Sequence, residues 1–215
     1  MNPNRLPIPA LKGVVFCLAL VPLGLIFYDA FTDGLSANPI EDITRRTGRW
    51  GLRFILITLC ITPLRKLTGL NVLVRFRRML GLYAFFYLCL HFLTYVLIDA
   101  ELSLAYMVED IAKRLYITAG FTAFCLLVPL AATSTNAMVR RLGGKRWQEL
   151  HRLVYPASLA AVLHFIWLVK ADLRDPLIYL AILSVLLLLR LSPIAKRLPE
   201  LRLSLTQSGP QRAAR

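Results

Sequence analysis

LGLYAFFYLCLHFLTYVLI, Leu80 to Ile98, runs for nineteen residues without an Asp, Glu, Lys or Arg and carries one histidine, His91. An α-helix rises 1.5 Å per residue and needs about 20 apolar residues to cross a hydrocarbon layer of about 30 Å. The stretch therefore reads as a membrane span. Five more apolar runs fall at Gly13–Phe31, Trp50–Leu64, Tyr116–Ala132, Leu153–Val169 and Pro176–Leu191, the second needing its flanks to reach spanning length.

Composition agrees with that reading: 57% of the 215 residues are hydrophobic, mean hydropathy is +0.61 and 18% are charged, too little polar surface for a soluble domain of this length. The net charge of +14 is explained by where it lies. With a cytoplasmic N-terminus, 18 of the 26 basic residues but only Glu149 and Glu200 among the 12 acids fall on the inner side. The positive-inside rule then places both termini in the cytoplasm and excludes nucleic acid as the reason for the charge. The expectation is an all-α polytopic six-helix bundle: residues 1–12 a cytoplasmic N-terminus, 13–191 the transmembrane domain, and 192–215 a partly disordered cytoplasmic tail. The first run reads as an uncleaved signal anchor.

Soluble catalytic machinery is not expected. The longest loop in this reading, Thr32–Arg49, has fewer than twenty residues, and no dinucleotide or P-loop pattern occurs. Leu142-Gly143-Gly144-Lys145 reads as a turn in a basic loop. Cys17, Cys60, Cys89 and Cys125 all fall within expected spans, without metal spacing, and read as packing residues.

Two of the three histidines lie inside spans. His91 is ten residues past Gly81 and His164 twelve past Arg152, on helices running the same way. At 1.5 Å per residue they lie ~15 Å and ~18 Å deep, level with each other near mid-membrane. Two imidazoles at matched depth on different helices can take both axial positions of one haem iron. Structural zinc would lack two of its four ligands, and hydrogen bonding between helices is the packing alternative. His151, at the cytoplasmic lip, is thirteen residues before His164. On a straight helix that turns the two ~140° apart, although Pro156 could change the phase. His151 stays open between haem ligand, binding group for another cofactor and solvated residue. Arg49 and Arg53, one turn apart, could meet haem propionates or a docked partner, or snorkel to the interface.

Asn38-Pro39-Ile40-Glu41-Asp42-Ile43, Arg75-Phe76-Arg77-Arg78-Met79-Leu80-Gly81-Leu82, Thr133-Ser134-Thr135 and Lys145-Arg146-Trp147-Gln148-Glu149-Leu150-His151, in that order among six spans, resemble the MsrQ (YedZ) family. That family is the haem-binding membrane subunit of the bacterial MsrPQ system, in the ferric reductase-like transmembrane group. The resemblance implies an electron-transfer subunit of the inner membrane, carrying haem b and FMN. It would pass electrons from the quinone pool to a periplasmic molybdopterin methionine sulfoxide reductase, MsrP, rather than act as the catalytic subunit. It also implies that His91 and His164 are the haem ligands, and it matches His151 to a third family histidine. A stand-alone flavin or metal reductase fed by a cytosolic flavin reductase is the enzyme alternative, and a haem-free membrane anchor the structural one.

The wider group usually stacks two haems on paired histidines. Thirteen and fourteen residues before His91 this chain has Arg78 and Arg77. The inner position is thus open between an empty site, a second haem with an unusual ligand, and a flavin or quinone. Arg77, Arg78, Lys145 and Arg146 are candidate partners for a flavin phosphate, with topology and lipid binding as the alternative.

Overall fold

The structure, a computed structural model, describes residues 7–169 and 171–190. Arg5, most of the expected N-terminal segment, Lys170, Leu191 and the tail 192–215 lie outside the described residues. Among the described residues there are nine α-helices and no strand: α1 Ile8–Phe31, α2 Pro39–Thr68, α3 Val74–Thr94, α4 Leu104–Lys113, α5 Leu115–Ala132, α6 Asn136–Leu142, α7 Gly144–Leu150, α8 Val154–Leu168 and α9 Arg174–Leu188. Three stretches, Ile8–Phe31, Asn71–Asp99 and Leu115–Ala132, are long and apolar enough to cross a membrane.

The expected long loop Thr32–Arg49 is mostly helix. Asn38 caps α2 by accepting from the Glu41 N–H at 3.3 Å, Pro39 occupies the first turn, and Glu41 and Asp42 face its positive end. Its charged opening turns hide the helix from hydropathy. Arg46 clamps this segment to α1, bonding Asp42 Oδ1 from Nε at 3.0 Å and pairing with Asp29. The basic loop holds α6 and α7, hinged at Gly143 (φ 76°), and Thr135 caps α6 by accepting from Met138 N–H at 3.2 Å.

The helix expected to carry both His151 and His164 is interrupted. His151–Leu153 form a 3-10 turn and α8 begins at Val154. Pro156 has no N–H for the Arg152 carbonyl, so the regular ladder stops there, and the proline falls harmlessly in the first turn of α8.

α2 packs along α3 and α5 along α8, with α1 against the first pair and α9 against α8 and α2. In lipid such contacts are held by close packing and hydrogen bonds rather than by expulsion of water. Proline sets up two of them. Pro22 disturbs α1, and the Tyr87 hydroxyl of α3 inserts into the opened ladder. It donates to Ala19 O at 2.8 Å and accepts from Leu23 N at 3.2 Å, on a side chain 0% exposed. Pro63 of α2 likewise cannot donate to Leu59 O, and Arg190 supplies the missing donor from its guanidinium. Outward faces are apolar: Leu18, Leu25 and Phe27 of α1 stand exposed, as lipid-facing residues do.

Candidate functional site

His91, near the C-terminal end of α3, and His164, near that of α8, meet with ring centroids 6.0 Å apart and planes at 73°. The level placement read from the sequence is matched by this contact. An imidazole nitrogen reaches a first-row metal at about 2.0–2.1 Å and lies about 1 Å from its ring centre, so two imidazoles on one metal have centroids roughly 6 Å apart. The observed spacing has that value.

Each ring is held the same way. His91 Nδ1 lies 2.8 Å from Thr44 O on α2, and His164 Nδ1 lies 2.6 Å from Tyr116 O on α5. A carbonyl only accepts, so Nδ1 carries the proton and the lone pair of a neutral ring is on Nε2. Donation of one ring nitrogen to a carbonyl while the other stays free is the arrangement that orients metal-binding histidines. Thr94 Oγ1 donates to His91 O at 2.8 Å and lies 3.0 Å from Thr44 Oγ1, tying the same helices together.

Each accepting carbonyl precedes a glycine by four residues. A Cβ at Gly48 would lie 2.9 Å from His91 Nδ1, and one at Gly120 would lie 2.7 Å from His164 Nδ1. The missing methyls are what let imidazoles reach carbonyls already serving the helix ladder. Sequence reading missed Thr44, Gly48, Tyr116 and Gly120. The available signal was a glycine inside each partner helix, level with the histidine.

Both histidines and both glycines line a cavity of about 1110 Å³, whose apolar wall includes Phe92 and Phe124, stacked at 4.7 Å. Arg49, read from the sequence as able to meet haem propionates, lines the cavity, and Arg45 and Arg114 line it as well. Arg45 pairs with Glu41, and Arg114 with Asp110 at 3.0 Å, whereas Arg49 has no ion pair among the described residues. Arg53 is used elsewhere, bonded to Tyr179 Oη at 2.9 Å and lying over Trp50 at 4.7 Å. The two arginines that share a face in sequence therefore separate, and Arg49 is the one aimed at the cavity.

His151, Arg77 and Arg78 do not line this cavity. His151 stacks on Trp147 at 3.7 Å, and its Nδ1 lies 3.0 Å from Trp147 O. Burial pushes its pKa down, and the nearby Arg77 charge adds to that, against the hydrogen bond to the Trp147 carbonyl. Arg77 is half-buried, whereas Arg78 is exposed and bonded to Asn136. No group of three or more His, Cys, Asp or Glu side chains able to hold a metal occurs among the described residues. The four cysteines are free, each within a helix.

Comparison with known proteins identifies relatives of the whole chain. Residues 47–162 match the profile of a family described as ferric reductase like transmembrane component. Three curated relatives are each named protein-methionine-sulfoxide reductase heme-binding subunit MsrQ. That of Ralstonia nicotianae is 54% identical over 195 residues, covering 88% of this chain and 90% of its own. Those of Herminiimonas arsenicoxydans and Xanthomonas campestris pv. campestris are 51% identical over 191 residues (88% of each chain) and 48% over 216 (98% and 97%).

Proposed function

The chain belongs to the MsrQ family of haem-binding subunits, within the ferric reductase-like transmembrane group, and from that premise we propose that it is the membrane electron-transfer subunit of a protein-methionine-sulfoxide reductase. The reading rests on one observation above all: two imidazoles 6.0 Å apart, each with Nδ1 committed to a backbone carbonyl, on the wall of a cofactor-sized cavity.

His91 and His164 hold one haem b. When bound, haem supplies one-electron transfer between donor and acceptor. The Thr44 and Tyr116 carbonyls fix the tautomer of each ligand, Gly48 and Gly120 give the rings access to those carbonyls, and Arg49 offers a cation to a propionate. The apolar wall around Phe92 and Phe124 keeps water away from the metal position. At the inner position, where two-haem relatives would have another imidazole, this chain has arginine, which argues for a single haem. FMN is a second cofactor by family resemblance.

The bundle crosses the bacterial inner membrane six times, residues 13–191 forming the membrane domain and both termini lying in the cytoplasm. The one-sided placement of 18 of 26 basic residues supports that topology. α8 and α9, of fifteen residues each, rise only about 22 Å, a mismatch that local thinning of the bilayer accommodates. In this orientation the histidine pair lies toward the periplasmic ends of α3 and α8. That suits delivery to a periplasmic molybdopterin enzyme of the MsrP type, with quinol in the membrane as donor.

The test is a reconstituted relay. With the purified protein reduced by a quinol, addition of the periplasmic partner and methionine sulfoxide is expected to reoxidise the haem; reoxidation independent of the partner would reject the assignment.

A further inference from the structure

Between Asn71–Asp99 and Leu115–Ala132, both long and apolar enough to cross a membrane, the chain makes the ten-residue helix α4. α4 continues neither of them. After the π-helical turn Tyr95–Asp99, Glu101 (φ 46°) and Leu102 (φ 60°) take the left-handed region, which is costly for a leucine and turns the chain away from α3. Ser103 then caps α4 by accepting from the Tyr106 N–H at 3.3 Å. At the far end Arg114 is extended (φ -114°, ψ 101°), so the helical ladder breaks before α5.

One side of α4 closes the histidine cavity. Tyr106, Asp110 and Ile111 line it, and Asp110 is 6% exposed. Asp110 accepts from Arg114 Nε at 3.0 Å and from the Tyr95 hydroxyl at 3.3 Å, while Thr118 Oγ1 of α5 donates to the Ile111 carbonyl. The opposite side is apolar and open. Leu104 and Val108, one turn apart, are 76% and 68% exposed, and the exposed Ala105 and Ala112 share their arc. Glu109 and Lys113 pair with each other on the flank between the two sides.

Two features say what covers the open arc. In the chain it is flanked by exposed apolar residues of the spans on either side, Leu97 and Ile98 before it and Leu115 after it. The exposed aromatics at this end of the bundle, Tyr28 near the end of α1 and Trp167 near the end of α8, are of the kind that collects at headgroup level. Tyr28 belongs to this end because its neighbour Asp29 pairs with Arg46 of α2, on which Thr44 anchors His91. Trp167 follows His164 by three residues. A short helix with one apolar arc and a charged flank, placed where two spans end, has the character of a helix lying in the interface plane.

We propose that α4 lies along the membrane surface at the histidine end of the bundle, with Leu104 and Val108 bedded in lipid and its other side covering the cavity. The partner is a lipid surface, bound by burial of the apolar arc, while Glu109 and Lys113 stay in water. The placement rests on α3 and α5 crossing the membrane, and not on what His91 and His164 bind.

The experiment uses the full chain in nanodiscs of phosphatidylethanolamine and phosphatidylglycerol, with an environment-sensitive fluorescent amino acid replacing one residue at a time. The positions are Val108 on the arc, Lys113 on the charged flank and Cys125, exposed within α5. Quenchers are aqueous iodide and phosphatidylcholine carrying a nitroxide either near the headgroup end or near the tip of its acyl chain. The probe at Val108 is expected to be quenched by the shallow nitroxide at least about threefold more strongly than by the deep one or by iodide. At Lys113 iodide should lead by about threefold, and at Cys125 the deep nitroxide should lead. If the Val108 variant is not monodisperse, the same probe at Leu104, one turn away on the arc, decides the matter. Equal iodide quenching at Val108 and Lys113, with Cys125 quenched by lipid, overturns the proposal alone and leaves the arc as a face for a protein or a second copy of this chain. Deep-nitroxide quenching at Val108 overturns it too, since α4 would then lie within the hydrocarbon. Loss of lipid quenching at Cys125 overturns the spanning of α5, and the proposal with it.

Discussion

Gly48 and Gly120 do for His91 and His164 what no polar side chain could do in so little space. A methyl at either position meets the imidazole below 3.0 Å, and the ring can yield only by leaving its carbonyl. Gly48→Ala and Gly120→Ala are expected to lower haem retention on purification and to shift the absorption of what remains. Gly81→Ala is the control, since its Cβ would meet only Thr58 Cγ2, at an ordinary 3.7 Å. Wild-type haem content in both site variants would show that the carbonyl bonds do not position the ligands. The histidines themselves were legible in the sequence because an imidazole inside an apolar run is conspicuous. The groups that aim them were not, being two backbone carbonyls and two absent side chains.

Among the elements, α1 depends on one hydroxyl. Tyr87 satisfies both Ala19 O and Leu23 N where Pro22 has disturbed the helix, so Tyr87→Phe leaves two buried backbone groups unpaired. A loss of about 1–3 kcal/mol is expected, measured as a lower unfolding midpoint in detergent; an unchanged midpoint would mean that the ladder closes by itself. The opening of α2 should respond to acid. Asp42 is held below its ordinary pKa of 3.8, chiefly by the Arg46 hydrogen bond and against the opposing effect of burial. A folded-state value below the unfolded one gives stability that is complete above the unfolded value and is lost as pH falls through the folded one. The Tm advantage of wild type over Asp42→Asn is therefore expected to be full at neutral pH and to shrink as pH falls below about 4; an advantage that does not shrink at all in acid would exclude the ion pair as its source. The apolar spans were legible from their length, α5 to within one residue, whereas α1 and α3 begin five and six residues before the apolar runs Gly13–Phe31 and Leu80–Ile98, on residues whose polarity hides the helix start. The first turns of α2 were not legible, since their charged residues look like a loop until Asn38 and Pro39 are recognised as a helix start. The 3-10 break at His151–Leu153 was legible only as a possible change of phase at Pro156, which lies three residues beyond the break.

For the molecule as a whole, the histidine pair joins two helix pairs, α2 with α3 and α5 with α8, each contributing a ligand from one helix and an orienting carbonyl from the other. The bundle therefore has chemically distinct ends: a cavity lined by two imidazoles and Arg49 at one, and Arg190 bonded to Tyr155 Oη and the Leu59 carbonyl at the other. Sequence spacing led to the first end, because equal depth on two helices can be counted. It could not show that Arg190 reaches back to α2, a contact between residues 131 positions apart. The central claim is that His91 and His164 together hold one haem, and the absorption spectrum of the purified protein with its haem-to-chain ratio tests it most directly. One haem per chain, with a Soret band lost or strongly altered in both His91→Ala and His164→Ala while His151→Ala keeps it, is the predicted result; a Soret band unchanged in either of the first two variants would contradict the account.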